Sequence, residues 1–131
     1  MGLSGTKMDK MTKRTLINLC LTFPGSYEDY PFSDMTRKST DDDWAVIRHS
    51  GNKKCFAFIY EQNSALFVNL KCEPMKSDFL RGVYFCVTPA YHMNKLHWNS
   101  VEINKNTPNS LLIELLTDSF NLTRSGQTRK K

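Results

Sequence analysis

The sequence has no long apolar run and no familiar catalytic or metal-binding signature. No stretch approaches the roughly 18 to 20 apolar residues that a membrane-spanning helix needs, and the first ten residues lack the apolar core of a secretory signal. P-loop, Rossmann glycine, HExxH, GxSxG and EF-hand patterns are absent as well. These absences predict a cytoplasmic protein that is not an enzyme, needs no cofactor and does not bind membranes.

Metal and thiol chemistry find little support. The four cysteines include no CxxC pair, so we expect reduced and mostly buried thiols at Cys20, Cys55, Cys72 and Cys86. His92 and His97 are five residues apart, a spacing that fits neither one face of a helix nor one face of a strand. A thiolate pair of Cys86 with His92 would lack a third, orienting group. No metal ligand is therefore predicted.

Charge is spread unevenly along the chain. The 131 residues carry 18 Lys and Arg against 13 Asp and Glu, a net charge of +5. Five of the basic residues lie in the terminal segments, so residues 8–123 are formally neutral. Within that body, residues 44–107 hold eight basic and four acidic residues. This middle segment is the part of the chain best suited to a polyanion, because a few phosphate contacts need only a local patch.

Two acidic clusters do not predict an active site. Asp41, Asp42 and Asp43 are adjacent, so their side chains point in different directions, and such polar loops are usually solvated turns. Glu28 and Asp29 are neighbours in an extended segment, and neighbours on a strand face opposite sides. Neither cluster is expected to act on one bond or one ion.

Hydrophobic periodicity predicts three helices. The first follows a cap at Thr12 and stops before Pro24-Gly25, the second begins at Glu73-Pro74, and the third takes Thr107-Pro108 as its cap and first turn. Their expected buried stripes are Leu16, Leu19, Cys20 and Phe23; then Met75, Phe79, Leu80 and Val83; then Leu111, Leu112, Leu115, Leu116 and Phe120.

Five further segments, rich in aromatic and β-branched residues, predict strands: 27–32, 44–49, 54–60, 66–71 and 98–103. The segment 54–60 is apolar on both alternating faces and should be central in the sheet. The next one sets Phe67, Asn69 and Lys71 against an apolar face, so one face of the sheet should be partly open. The order α-β(4)-α-β-α predicts a two-layer α+β domain with an antiparallel sheet.

Residues 88–99, TPAYHMNKLHWN, combine side chains suited to proton transfer, metal ligation and base stacking. Pro89 restricts the entry to this segment, and the short side chain of Asn94 can cap a turn at 95–97. Trp98 continues into a strand, which favours a core position for its ring. We interpret the segment as a structured bend first and a binding surface second.

Four strings carry a resemblance to a known family: YEDYPF (27–32), WAVIRH (44–49), NLKCEP (69–74) and VTPAYHMNKLHWNSV (87–101). In this order and spacing, the chain resembles the MmcQ/YjbR family of small, mostly bacterial proteins over residues 11–123. The resemblance implies an α+β fold comparable to secretion-chaperone-like and frataxin-like sheets and to a phage double-wing DNA-binding domain. It carries over no catalytic residue. The signature positions are Tyr91, His92, Asn94, Lys95, His97 and Trp98.

Three functions compete. The first is a DNA-binding module, with Arg48, Lys53, Lys54, Lys71 and Lys95 on phosphates and Asn94 or His97 on bases or sugars. The second is a protein-interaction or chaperone-like adaptor that uses the open sheet face, including Tyr60 and Phe67. The third is a small-molecule or enzymatic site around Cys86, His92, Lys95 and His97. We rank them in this order, with DNA and another protein as the candidate partners and the oligomeric state open.

The ends of the chain are expected to lie outside the domain. Residues 1–10 read as a flexible lead-in, and MGLSGT also fits the permissive N-myristoylation pattern. No polybasic second anchor follows at once, so stable lipid anchoring is not expected. Residues 11–123 form the single predicted domain, and 124–131 a flexible basic tail.

Overall fold

The computed structural model describes residues 11–32, 44–90, 93–104 and 106–124. In chain order, the elements are α1 (Lys13–Cys20), β1 (Ser26–Asp29), β2 (Ala45–His49), β3 (Cys55–Gln62), β4 (Ala65–Lys71), α2 (Pro74–Val83), β5 (Val87–Pro89), β6 (Trp98–Ile103) and α3 (Asn109–Thr123). The lead-in at 1–10, the cluster at 41–43, Tyr91, His92 and the tail beyond Arg124 lie outside the described residues.

The strands form one antiparallel sheet with the order β1-β2-β3-β4-β6-β5. The α+β fold class is confirmed, and β3 lies in the interior of the sheet between β2 and β4. The prediction missed β5, because three residues that include Pro89 are too few for a hydrophobic period to register.

All three helices pack on one face of the sheet. α1 lies against β2 and β3, α3 against β3 and β4, and α2 against the edge strand β5. Between these layers is the main core, which includes Leu16, Ile47, Ile59, Val68 and Leu116, all nearly inaccessible to solvent. Two packed layers around one apolar core are the minimum that buries the hydrophobic faces of both kinds of element.

The opposite face of the sheet carries a row of aromatic rings. Tyr60 stacks between Trp44 and Phe67, with ring centroids 4.2 and 5.2 Å away, and Phe58 meets Trp98 edge to face at 5.5 Å. Tyr60 is only 2% exposed. The expectation that Tyr60 is a contact on an open face is therefore wrong, because its neighbours cover it. Trp98 packs here as one half-buried member of the row.

The first helix begins as predicted. The Thr12 hydroxyl accepts a hydrogen bond from the Thr15 backbone, and the Thr15 hydroxyl accepts one from the Thr12 backbone, which completes a capping box. Leu16 and Cys20 are buried, and Phe23 packs beyond the helix end between Phe56 and Phe120. The helix is stabilised both by its cap and by its apolar face.

The predicted burial of α2 is wrong for three of its four residues. Leu80 is buried, but Met75, Phe79 and Val83 are 88, 66 and 55% exposed. The inward face instead carries Ser77, whose hydroxyl accepts a hydrogen bond from Asn99 on β6. The helix lies at the edge of the sheet, so a single strand covers it and its apolar stripe faces outward.

The stripe of α3 is confirmed in full, with Leu111, Leu112, Leu115, Leu116 and Phe120 all buried. Its cap differs from the prediction, because the helix starts at Asn109 and Pro108 stands at the N-cap. The Thr107 hydroxyl closes the preceding turn instead, accepting from the Asn104 amide and donating to the Glu102 carbonyl. Among the described residues, no helix is long and apolar enough to cross a membrane.

Candidate nucleic-acid interface

The strand directions bring cations that are distant in sequence to one end of the sheet. β2 and β4 finish at this end, and β3 and β6 begin there. We call it the basic end and define it by the seven candidate contacts that gather there: Arg48, Lys53, Lys54, Lys71, Asn94, Lys95 and His97. The strand ends from β2 to β6 span three strand spacings, about 14 Å of backbone. The candidate residues therefore share one end of the sheet.

Arg48 is already occupied. Its Nε lies 2.8 Å from an Asp29 carboxylate oxygen, and its Nη1 donates to the Lys53 carbonyl at 2.8 Å. These contacts neutralise the guanidinium and hold the turn between β2 and β3 in place. Arg48 consequently positions the neighbouring lysines more than it offers a charge of its own.

Lys53 and Lys54 stand on a tightly formed turn. Lys53 adopts a left-handed φ of 66°, and its ammonium group is 5.6 Å from the centroid of the Tyr27 ring. The Lys54 amide donates to the Asn52 side chain at 2.9 Å, and both lysines are exposed. A non-glycine residue in this conformation needs support from its surroundings, and the turn hydrogen bonds supply it.

Lys71 and Lys95 complete the set of lysines. Lys71 is the last residue of β4, and the Lys95 ammonium donates to the Ala90 carbonyl at 3.0 Å. None of the four lysines at the basic end forms an ion pair with a described residue. Four uncompensated positive charges at one end of a sheet attract anions, and most strongly a polyanion.

The predicted bend before β6 is confirmed. The Asn94 side chain accepts from the Leu96 amide at 2.9 Å, and the Asn94 carbonyl accepts from the Trp98 amide at 3.0 Å. Since its side-chain acceptor is used within the turn, Asn94 has a structural role and is poorly placed to read a base. The His97 carbonyl accepts from the Cys72 amide at 2.8 Å and ties the bend to the end of β4.

The basic end is fixed to α3 by buried contacts. The His49 Nε2 lies 2.7 Å from the Thr123 hydroxyl, and that hydroxyl donates its proton to the Ser119 carbonyl at 2.7 Å. With the hydroxyl proton directed to Ser119, the matching tautomer of His49 carries its proton on Nε2. Burial lowers the pKa of His49, which keeps the ring neutral. Its ring also packs 4.6 Å from that of Phe120.

The opposite end of the sheet has the other charge sign. We call it the acidic end and define it by Glu61 near the end of β3 and Glu102 near the end of β6. The turn residues Asn63 and Ser64 join β3 to β4 there, and the described residues 61–66 and 102–104 contain no basic residue, while Lys105 lies outside the described residues. The described strands and turns are thus polarised along their length.

Comparison with known proteins decides the family. The YjbR family model matches residues 21–122. This chain belongs to the YjbR family.

The relatives of this YjbR-family chain are bacterial. The uncharacterised protein YyaQ of Bacillus subtilis is 31% identical, over 76% of this chain and 87% of its own length. Uncharacterised YjbR of Escherichia coli K12 is 27% identical, over 84% and 85%. YbdF of Escherichia coli O157:H7 is 38% identical over 59% of this chain, and this chain spans only 63% of YbdF.

Solved structures support the fold of this YjbR-family chain. A crystal structure of a Pseudomonas syringae protein is 30% identical with a TM-score of 0.72, covering 87% of this chain and all of that one. A Deinococcus radiodurans protein with the domain DUF419 is 28% identical with a TM-score of 0.73, covering 91% of this chain and 83% of its own.

Two arginines matter that the sequence did not single out. Arg81 on α2 donates hydrogen bonds to the Asn99 side chain, at 2.7 Å, and to the carbonyls of Lys95 and Trp98. It therefore holds in place the bend at 94–98, which we call the signature bend. Arg124, assigned to the tail, lies beside the basic end because the Asn52 side chain donates to the carbonyl of Thr123 at 2.9 Å. No sequence signal links Arg124 to the turn at 50–54, since the contact is tertiary.

One groove of the described structure lies away from the signature bend. A groove of about 230 Å³ lies between α2 and α3 and is lined by Glu73, Lys76, Asp118, Asn121 and Leu122, away from the signature bend. Lys76 spans it in ion pairs with Asp118 and Glu114. Burial raises the pKa of Cys20 to about 12, so this thiol is inert.

The described residues also give no support for a metal site. They contain no group of three His, Cys, Asp or Glu side chains that could hold an ion. Glu28 and Asp29 indeed face opposite ways, Glu28 to Arg14 on α1 and Asp29 to Arg48. The proposed cluster around Cys86 and His97 includes His92, which lies outside the described residues.

Proposed function

We propose that this YjbR-family chain is a non-enzymatic DNA-binding protein of the cytoplasm that grips the phosphate backbone with the basic end of its sheet. The observation that carries the proposal is that Lys53, Lys54, Lys71 and Lys95, none in an ion pair with a described residue, all stand at the same end of the sheet. Duplex DNA carries one negative charge per roughly 1.7 Å of its axis, so several phosphates lie within reach of lysines spread along one end of a sheet.

The proposed contact is with the backbone and not with base edges. Lysine ammonium groups act as mobile point charges, which suit phosphates without selecting a sequence. The polar side chains that could reach a base are partly committed, because the acceptor oxygen of Asn94 closes its own turn. Binding is therefore expected to be weakly selective and strongly dependent on salt.

An adaptor function that uses the sheet face opposite the helices has less support than DNA binding. Tyr60 and Asn69, on the sheet face opposite the helices, are nearly inaccessible to solvent, so Tyr60 is not available as a contact. Another protein remains a candidate partner elsewhere on the molecule.

Two variants with the same change in net charge, made at opposite ends of the sheet, test the DNA proposal. A labelled random-sequence duplex is titrated with the full chain at low salt and followed by fluorescence anisotropy. The triple variant Lys53→Gln/Lys54→Gln/Lys71→Gln should bind about tenfold more weakly or worse, and its plot of log K against log salt should lose a slope of about 1 for each lysine.

The control variant changes the net charge by the same amount at the acidic end. Gln62→Glu/Asn63→Asp/Asn106→Asp also removes three units of charge, but it alters exposed positions away from the lysines. Both variants keep the terminal segments, so binding by the tails alone would leave them equal. Equal weakening in the two variants, or no binding of the unaltered chain at low salt, would refute the proposal.

A further inference from the structure

The outward face of α2 is an apolar surface that no described residue covers. Met75, Phe79 and Val83 follow one another at intervals of four residues, and Phe85 stands fully exposed just after the helix. Side chains of this size expose on the order of 600 Å² together, which is at the upper limit for the largest apolar patch of a typical monomer. Four of the seven large hydrophobic residues exposed in the described chain belong to this face.

The neighbouring sheet edge cannot recruit a strand. In β5, the residues whose backbone points away from β6 are Val87 and Pro89. The Val87 amide already donates to the Tyr84 carbonyl at 3.1 Å, and proline has no amide proton. With no outward donor, the edge is closed to β-augmentation, so whatever covers this side of the molecule packs through side chains.

We propose that the outward face of α2 is a homodimer interface, in which α2 packs antiparallel against α2 of a second copy of this chain. A twofold interface requires a patch that is complementary to itself. Met75 and Val83 lie four residues on either side of Phe79, so a twofold axis at Phe79 sets Met75 of each copy against Val83 of the other and pairs the two phenyl rings. The spacing of the stripe is thus symmetric about its own centre.

Gly82 supports close approach of a second helix. It lies on the turn beside Phe79, and a Cβ built there would meet no atom within 4 Å. No packing against a described residue explains a glycine at this helical position, although glycine weakens helices. A bare backbone beside an apolar stripe admits a partner helix at the short end of the usual 8 to 10 Å separation.

Area and charge are also compatible with a dimer. If each copy covers the patch of the other, about 1,200 Å² are buried in total, which exceeds the roughly 1,000 Å² expected of a specific interface. Lys76 borders the stripe, but Glu114 and Asp118 neutralise it within the same chain. The interface therefore carries no unpaired lysine at this border, and its modest area predicts a dimer that dissociates on dilution.

Sedimentation velocity of the full chain over about 1 to 500 µM tests the proposal. The mass should rise from 15.1 kDa toward twice that value as concentration increases. Phe79→Lys should raise the dissociation constant at least about thirtyfold. Gly82→Gln, placed in open space, should leave the circular dichroism spectrum and thermal stability intact while weakening the dimer.

Ile113→Lys is the matched control, because it makes the same kind of change at a residue of α3 that is 42% exposed and outside the stripe. It should leave the dissociation constant unchanged. A mass that stays at 15.1 kDa over the whole range overturns the proposal and assigns the face to a different partner. A loss of association in Ile113→Lys equal to that in Phe79→Lys overturns it as well.

Discussion

The two ends of the sheet differ in how they are fixed as much as in their charge. At the basic end, the turn at 50–54 is bound to α3 through His49, Asn52 and Thr123. At the acidic end, the chain reverses through Asn63 and Ser64, which are exposed and make no side-chain hydrogen bond to another described residue. The turn at 50–54 is anchored to a helix, whereas the Asn63–Ser64 turn is a minimal connection.

This difference has a physical meaning for binding. Groups that are held in place before a ligand arrives lose less conformational entropy when they bind it. The lysines of the basic end extend from backbone that α3, the Arg48 contacts and the Asn94 turn already fix. The Asn63–Ser64 turn at the acidic end joins β3 to β4 without such support from a helix.

Removing the Ser119 hydroxyl, which also ties the basic end to α3, should give the largest loss of stability. The Ser119 hydroxyl donates to the Phe56 carbonyl at 2.6 Å and accepts from the Lys71 amide at 2.9 Å, so one buried side chain satisfies two backbone groups of the basic end. Ser119→Ala leaves both groups without a partner, and we expect a loss of about 2 to 3 kcal/mol in the free energy of unfolding.

Thr117→Ala is the control on the same helix. The Thr117 hydroxyl donates to the Ile113 carbonyl at an exposed position, so its removal should cost less than about 0.5 kcal/mol. Urea unfolding of the two variants gives the comparison. Similar losses in both would show that the hydroxyl at Ser119 does not anchor the sheet.

Mild acid should destabilise the protein through His49 at the basic end. His49 is 5% exposed, and burial lowers its pKa, so in mildly acidic solution the unfolded chain takes up a proton near pH 6.5 that the folded chain refuses. The stabilisation from the neutral ring is complete above about pH 6.5 and is lost as the pH falls toward the lower folded pKa. The free energy of unfolding should therefore fall between pH 7.5 and 5.5.

His49→Gln isolates this contribution, because glutamine retains an N–H donor for Thr123 but does not titrate. Its stability should change less over the same pH range, measured by urea unfolding at each pH. Arg14 lowers the pKa of Glu28 through a hydrogen bond, so that carboxylate contributes only in more acidic solution. Parallel pH profiles of the two proteins would exclude His49 as the titrating group.

The smallest effect should come from the acidic end. Asn63 and Ser64 both have positive φ, 53° and 66°, the pattern of a two-residue type I′ turn. Ser64→Gly removes the strain of a side chain in this region, and we expect a gain of about 0.5 kcal/mol after the added flexibility of the unfolded chain is counted.

Ala65→Gly, one residue later in the extended strand β4, should do the opposite. There the glycine relieves no strain and only adds freedom to the unfolded chain, so a loss of about 0.5 to 1 kcal/mol is expected from thermal or urea unfolding. The same sign for both substitutions would contradict the assignment of strain to Ser64.

Local patterns predicted those features that depend on neighbours in sequence. The Thr12 cap, the apolar stripe of α3, the interior position of β3 and the Asn94 turn all follow from spacing over a few residues. The stripe of α2 shows the limit, because periodicity identified the helix correctly but could not tell which side a neighbouring strand would cover. Exposure of Met75 and Phe79 depends on what is placed beside the helix.

For the candidate site, too, some features could be predicted from the sequence and others could not. Its lysines could be named from the basic middle segment of the chain, but their gathering at one end of the sheet could not. Arg124 and Arg81 were missed because their partners, the turn at 50–54 and the signature bend, are remote in sequence. The opposite directions of β3 and β4, and not composition, separate Lys71 from Glu61.

The sequence by itself determined which segments become helices and strands, and its motif strings pointed to the family, because caps, turns and apolar periods act over short distances. Only the tertiary structure decided that four lysines gather at one end while the acidic residues of β3 and β6 gather at the other. It also decided that the stripe of α2 faces solvent. Antiparallel pairing fixes which strand ends meet, and that pairing depends on contacts between residues far apart in the chain.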